Sequence, residues 1–179
     1  MNKAHLLATT LVCLALAACS TAPKGADAKA ELQRDAAATL TTSRAHDPEL
    51  AEALRNCAGY AVFPKVGKAA MGVGGAYGKG VLYENGVVVG YCDMSQASVG
   101  LQLGGQTYTE IVCFTDKSAL KKFKHGDFAF DAQASTTAME AGASKNADYG
   151  HGVEVYTLNE AGMMVEASVG GQKFTYKDR

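Results

Sequence analysis

The segment Gly72-Val-Gly-Gly-Ala-Tyr-Gly-Lys-Gly80 is the first place where composition suggests chemistry. Glycine-rich loops expose backbone N–H groups that can cradle phosphate. The spacing does not fit that use. A Walker-type loop requires glycine where Val73 stands and serine or threonine where Gly80 stands. A dinucleotide fingerprint from Gly72 requires glycine where Tyr77 stands, and the residues that follow are β-prone rather than helical. Nucleophile elbows fail in the same way: Gln96 and Glu166 occupy the positions where Ser98 and Ser168 would each need a preceding glycine. His46, His125 and His151 fall in no metal-binding spacing, and Asp148 near His151 is too small a ligand set. Asp127 and Asp131 read as solvated loop charges. The sequence therefore points to no catalytic residue, no metal site and no cofactor, and the expectation is a binding module rather than an enzyme.

The cations are more informative. Lys65 and Lys68 flank Gly67, and Lys79 lies between Gly78 and Gly80. Lys117, Lys121 and Lys124 share one face of a short helical stretch, with Lys122 beside them. Such a set can meet lipid phosphates, at about 1 kcal/mol for each lysine held near an anionic surface. The competing reading is that these lysines only solvate a surface, and that those near the helix end complement its dipole.

A third reactive position is Cys19. Met1-Asn2-Lys3 carries one positive charge, Leu6 to Ala18 is apolar apart from Thr9 and Thr10, and the run ends in Leu16-Ala17-Ala18-Cys19. These are the zones of a secretory signal peptide, and the apolar run is short for a bilayer-spanning helix. The cysteine after Leu-Ala-Ala is similar to the lipobox of bacterial lipoproteins. That resemblance implies a diacylglycerol thioether on Cys19, cleavage before it and acylation of the new amine. Ser20 in second place resembles the outer-membrane sorting signal of enteric-type bacteria. The expected organisation is a signal peptide over 1–18, a lipidated tether over 19–26 and a domain over 27–179.

Charge sets a further bound. With 17 basic and 18 acidic residues the formal net charge is −1, so nothing global points to nucleic acid. Of five cysteines, Cys13 lies in the signal peptide and Cys19 is the acylation site. Cys57, Cys92 and Cys113 remain, enough for one disulfide or for three buried thiols.

The elements that must position these residues can be read from periodicity. Leu32, Ala36 and Leu40 mark an amphipathic helix from Asp27 to about Thr42. Asp47-Pro48 starts a second helix with Leu50, Leu54, Cys57 and Ala58 as its apolar stripe and Gly59 as its stop. Tyr60–Phe63 is a short strand. Asn85-Gly86 between Gly80–Tyr83 and Val87–Tyr91 signals a hairpin. Gln106 to Phe114 is a strand, and Asp116 to Lys124 is a short helix with Ala119, Leu120 and Phe123 facing inward. Phe128 to Ser144 is ambiguous. Val153–Leu158 and Met163–Ser168 are strands, and Phe174–Tyr176 adds an edge. Ala97–Thr109 and Ala167–Thr175 echo each other through a Gly-Gly-Gln element, which suggests bends in a strongly curved antiparallel sheet.

Gly59-Tyr-Ala-Val-Phe-Pro-Lys-Val-Gly-Lys68, the following Gly-rich run to Gly80, Ser95–Gln106, the Asp116–Phe123 helix, Phe128–Ser135 and Glu166–Gln172 together resemble the SYLF domain family, also called the Ysc84 actin-binding or DUF500 family. The similarity spans roughly residues 45–176. It implies a domain that binds phosphoinositide or other anionic phospholipid membranes, and some members bind actin. An exported lipoprotein has little occasion to meet actin, so that activity is not carried over. The matching positions are mainly glycines and apolar residues, so no binding residue transfers, and Lys65, Lys68, Lys79, Lys117, Lys121 and Lys124 stand as lipid-binding candidates from charge and position. The expected fold is α+β: N-terminal helices packed on a glycine-rich, strongly curved antiparallel sheet, a partial barrel, with one short helix inserted between strands. The expected function is that of an envelope lipoprotein whose domain binds lipid; the alternative is a structural lipoprotein that contacts other envelope proteins.

Overall fold

The computed structural model describes residues 21–71, 73–99, 104–126, 129–130, 152–159, 162–163 and 172–179. The lipobox-like stretch with Cys19, the segment containing His151, and most of Phe128–Ser144 and Met163–Ser168 lie outside them.

Helix α1 spans Ala26–His46 and α2 spans Pro48–Asn56. Asp47 divides them: its Oδ1 accepts from the Glu49 and Leu50 amides at 2.9 and 3.2 Å, and Pro48 fills a first-turn position that has no amide bond to lose. The remaining elements are β1 (Gly59–Met71), β2 (Val73–Glu84), β3 (Val87–Val99), β4 (Gly104–Phe114), α3 (Lys117–His125), β5 (Ala129–Phe130), β6 (Val153–Asn159), β7 (Gly162–Met163) and β8 (Gln172–Asp178). Every pairing is antiparallel, in the order β5-β8-β3-β2-β1-β4-β6-β7. Six strands are long and two have two residues each, and among the described residues the sheet is not closed into a barrel.

The two faces bury different clusters. The outer face holds Val62, Val81, Tyr83, Tyr91, Ile111 and Cys113, covered by Ala36 and Leu40 of α1 and Leu50 and Leu54 of α2. The inner face holds Phe63, Val66, Leu82, Met94, Phe114 and Phe174, with Leu120 and Phe123 of α3 packed into it. The sheet is curved around that inner face. Phe63 on β1 and Phe174 on β8 have ring centroids 5.8 Å apart, although three strand spacings in a flat sheet would separate their strands by about 14 Å.

Pro64 accounts for an irregularity in β1. It has no N–H for the ladder, and the register with both neighbouring strands shifts at this point. The extra residue lets Phe63 and Val66 face the same core. β1 therefore continues past the proline to Met71 instead of ending at Phe63, and the glycine-rich run that follows forms most of β2. The Asn85-Gly86 turn has φ of 50° and 76°, the paired positive values that a tight two-residue hairpin needs. Cys57, just after α2, is disulfide-bonded to Cys113 on β4, with Cα atoms 5.8 Å apart, which fixes the helical layer to the sheet. Cys92 is a buried free thiol.

Candidate functional site

α3 is defined at both ends by its own sequence. Asp116 Oδ1 accepts from the amides of Ser118 and Ala119 at 2.7 and 2.8 Å, and Gly126 closes the helix at φ 76°. Ala119, Leu120 and Phe123 are buried, with the Phe123 ring 4.7 Å from Phe114 and 5.5 Å from Phe174. This anchoring turns Lys117, Lys121 and Lys122 to solvent. The nine-residue sequence KSALKKFKH contains no acidic residue.

Where the end of α3 meets the end of β8, an open cleft of ≈ 570 Å³ is lined by Lys124, His125, Tyr176, Lys177 and Asp178. Lys124 forms an ion pair with Glu84, and its ammonium sits 5.6 Å from the centre of the Tyr176 ring. The Tyr176 hydroxyl lies 2.7 Å from Asp178 Oδ1 and 3.2 Å from the Val89 carbonyl. Burial, together with that bond to Asp178, pushes the Tyr176 phenol well up, so it serves as a neutral donor. His125 Nδ1 is 2.8 Å from the Lys121 carbonyl. Lys177 is exposed.

The six candidate lysines do not form one site. Lys117, Lys121 and Lys124 belong to α3 on the inner side of the sheet. Lys65 and Lys79 are register partners on β1 and β2 and alternate in phase with Val81 and Tyr83, which places them on the outer side. Lys65 is exposed. Lys79 donates to Asp93 at 3.1 Å and lies 5.7 Å from the Tyr77 ring centre. Burial works to lower the Lys79 ammonium, but its bonds to Tyr77 and Asp93 outweigh it and hold the group above its ordinary value. Burial raises the Asp93 carboxyl by more than those same bonds lower it. Lys68 pairs in register with Ala76 and Gln106. Cys19 lies outside the described residues. Among the described residues no group of His, Cys, Asp or Glu is arranged to hold a metal ion.

Sequence reasoning missed a second polar group, on the inner face. Gln96, Glu110 and Gln172 are 6%, 2% and 8% exposed. Gln172 Nε2 donates to Glu110 Oε2 at 2.9 Å and lies 3.4 Å from Gln96 Oε1. Burial, partly offset by the bond from Gln172, pushes the Glu110 carboxyl up to about 7. The available signal was the period: Glu110 falls in phase with Val112 and Phe114, a carboxylate at a position where the strand is otherwise apolar. His125 and Lys177 were also not read as site residues, because their meeting in one cleft depends on how α3 packs on β8.

Residues 95–179 match the family model described as "Ysc84: Las17-binding protein actin regulator". Over 84 residues the chain is 26% identical to Beta cell expansion factor A of Aeromonas veronii, a match covering 47% of this chain and 32% of that protein. The chain thus spans about a third of the length of the curated relative it matches.

Proposed function

We propose that this chain, whose residues 95–179 belong to the Ysc84 (SYLF) family, is a lipid-anchored protein of the bacterial cell envelope whose domain docks on anionic phospholipid or phosphoinositide, as a binding module and not an enzyme. The observation that carries this reading is the basic surface of α3: Lys117, Lys121, Lys122 and His125 are exposed on it, and the helix contributes no acid. The apolar side of α3 is occupied by the core, so the helix has nothing to insert into a bilayer. Docking is therefore electrostatic, at about 1 kcal/mol for each lysine near the surface. Docking by a few such contacts is weak and reversible, and durable attachment takes an acyl chain plus a polybasic patch.

Two further observations support placement at an envelope membrane. The Cys57–Cys113 disulfide suits an oxidising compartment. The stretch just after the lipobox is held on the domain: Thr21 Oγ1 lies 3.0 Å from Thr175 Oγ1, and Ala22 is buried in the outer cluster. Ser20 favours the outer membrane as the destination.

Liposome flotation tests the reading. The Cys19→Ser chain, which cannot be acylated, is expected to float with vesicles containing anionic lipid and to be released by salt. The added changes K117E, K121E and K122E are expected to abolish flotation. Failure to bind any lipid would reject the proposal.

A further inference from the structure

Among the described residues the large apolar side chains left exposed are Tyr77, at 41%, and Val87, at 60%. The Tyr77 ring has the Lys79 ammonium 5.7 Å from its centre. Val87 is a different case. β3 opens with three valines, of which Val88 packs against the outer cluster and Val89 against the inner one. Val87 joins neither cluster and closes the exposed Asn85-Gly86 turn. A two-residue hairpin turn is set by its own positive φ values and needs no valine at this place.

Glu84 and Val87 are register partners, so their side chains share one face of the hairpin. Glu84 uses that face to pair with Lys124 of α3, which puts Val87 on the α3 side of the sheet. α3 crosses the sheet at the end where this hairpin turns: a Cβ on Gly59 would meet both the Tyr83 carbonyl, at 2.9 Å, and the Leu120 side chain, at 3.0 Å. The apolar tip therefore stands beside the last turn of a helix whose Lys121, Lys122 and His125 are exposed. Two acids are nearby. Glu84 is neutralised by Lys124, and Asp178 accepts from the Tyr176 hydroxyl at 2.7 Å.

We propose that the tip of the β2–β3 hairpin is a shallow insertion element, which places Val87 at the boundary between head groups and acyl chains of an anionic leaflet while the exposed lysines of α3 meet the phosphates. The inference rests on the docking reading and adds what α3 lacks, an apolar group that leaves water on contact. The turn itself limits the depth. Asn85 and Gly86 are exposed, and their backbone groups must stay hydrated, because unpaired polar backbone in hydrocarbon is costly. The two contributions respond differently to salt, which screens the lysines and leaves the burial of the valine.

The chain contains no tryptophan, so Val87→Trp in the Cys19→Ser chain gives a single indole probe. Its emission is expected to move to the blue with vesicles of phosphatidylcholine and phosphatidylglycerol. Lipids brominated near the head-group end of the acyl chain are expected to quench it, and phosphatidylcholine alone to leave it unchanged. Thr107→Trp, exposed on β4 away from the hairpin, is expected to stay unquenched. Val87→Ser tests the native side chain: binding is expected to weaken roughly 3- to 10-fold, by the same factor at low and raised salt, with thermal stability unaltered. If the Cys19→Ser chain floats but the indole at 87 stays unquenched, or Val87→Ser binds as the parent does, insertion is overturned and electrostatic docking stands. Failure to float with any lipid rejects both. A blue shift that follows protein concentration without vesicles assigns the tip to a contact between two copies and overturns the proposal as well.

Discussion

Gln172 Nε2 lies 2.9 Å from Glu110 Oε2, although β8 and β4 stand four strand spacings apart in the sheet order, about 19 Å if the sheet were flat. The bond spans the hollow of the curved sheet and ties one side of it to the other. Its energetics depend on pH. The Glu110 carboxyl is raised from an ordinary 4.5 to about 7 by burial, so the folded chain holds this proton more tightly than the unfolded chain does. The associated stability is therefore complete below about pH 4.5 and is lost as pH rises to about 7. The size follows from the shift, about 3 kcal/mol across that window. Glu110→Gln keeps the shape and removes the titration. Urea denaturation at a series of pH values is expected to show the Gln chain gaining on the parent by about 3 kcal/mol from the acid to the alkaline end. Parallel curves for the two chains would show that Glu110 is not the titrating group.

The disulfide between Cys57 and Cys113 closes a loop across a sequence separation of 56. In the chain-entropy account a loop of that length restricts the unfolded chain by about 4 kcal/mol. The bond joins the end of α2 to the sheet, so its loss acts first on the outer layer, where Leu50 and Leu54 are buried against Val62 and Ile111. The Cys57→Ser, Cys113→Ser double variant is expected to lose roughly 2–5 kcal/mol of stability and to show faster hydrogen exchange in α2 than in β2. A reductant should produce the same change in the parent and none in the variant.

Lys79 and Lys121 give a paired prediction, because both were candidates on charge alone. Lys79 is bonded to Asp93, which is 6% exposed, so removing it leaves a buried carboxylate without its cation. Hydrogen bonds to charged groups are worth about 1.5–3 kcal/mol, and Lys79→Met is expected to lower stability by that order while leaving vesicle binding unchanged. Lys121 is exposed on α3. Lys121→Met is expected to weaken vesicle binding by roughly 5-fold, about 1 kcal/mol, with thermal stability unaltered. Reversal of these two outcomes in flotation and calorimetry would move the docking surface to the outer side of the sheet.

The contrast shows what the sequence made legible. The helix starts at Asp47 and Asp116, the stop at Gly126 and the Asn85-Gly86 hairpin depend on neighbours within four residues, and each stands where local chemistry put it. α1 runs to His46 rather than Thr42, and its last turn buries Ser43, a burial with no local sign. β1 passes through Pro64 because a bulge absorbs the missing donor. Thr21 and Ala22 read as a loose tether from composition, yet they lie on the domain, because the partner Thr175 is far away in sequence. Ion pairing was equally hidden: nothing near Lys124 announces Glu84, and nothing near Lys79 announces Asp93 beyond their separate strands. Charge could be counted in the sequence, but which charges face solvent is decided by the sheet order.

The sheet order also explains why the strands can approach so closely at Gly80. A Cβ at this position would lie 2.7 Å from the Phe63 ring and 2.8 Å from the Val62 carbonyl. Carbon atoms at van der Waals contact sit about 3.5–4.0 Å apart, so an alanine must displace either the backbone of β1 or a fully buried ring. Phe63 has little room to yield, since its own ring packs 5.8 Å from Phe174. Overpacking of this kind costs typically 1–3 kcal/mol, and Gly80→Ala is expected to fall at the upper end of that range. Gly67 is the control: a Cβ there meets nothing within 4 Å, so Gly67→Ala is expected to leave stability within about 0.5 kcal/mol of the parent. Chemical denaturation of the two variants decides it, and equal costs at both positions would mean that β2 does not press on Phe63 in solution.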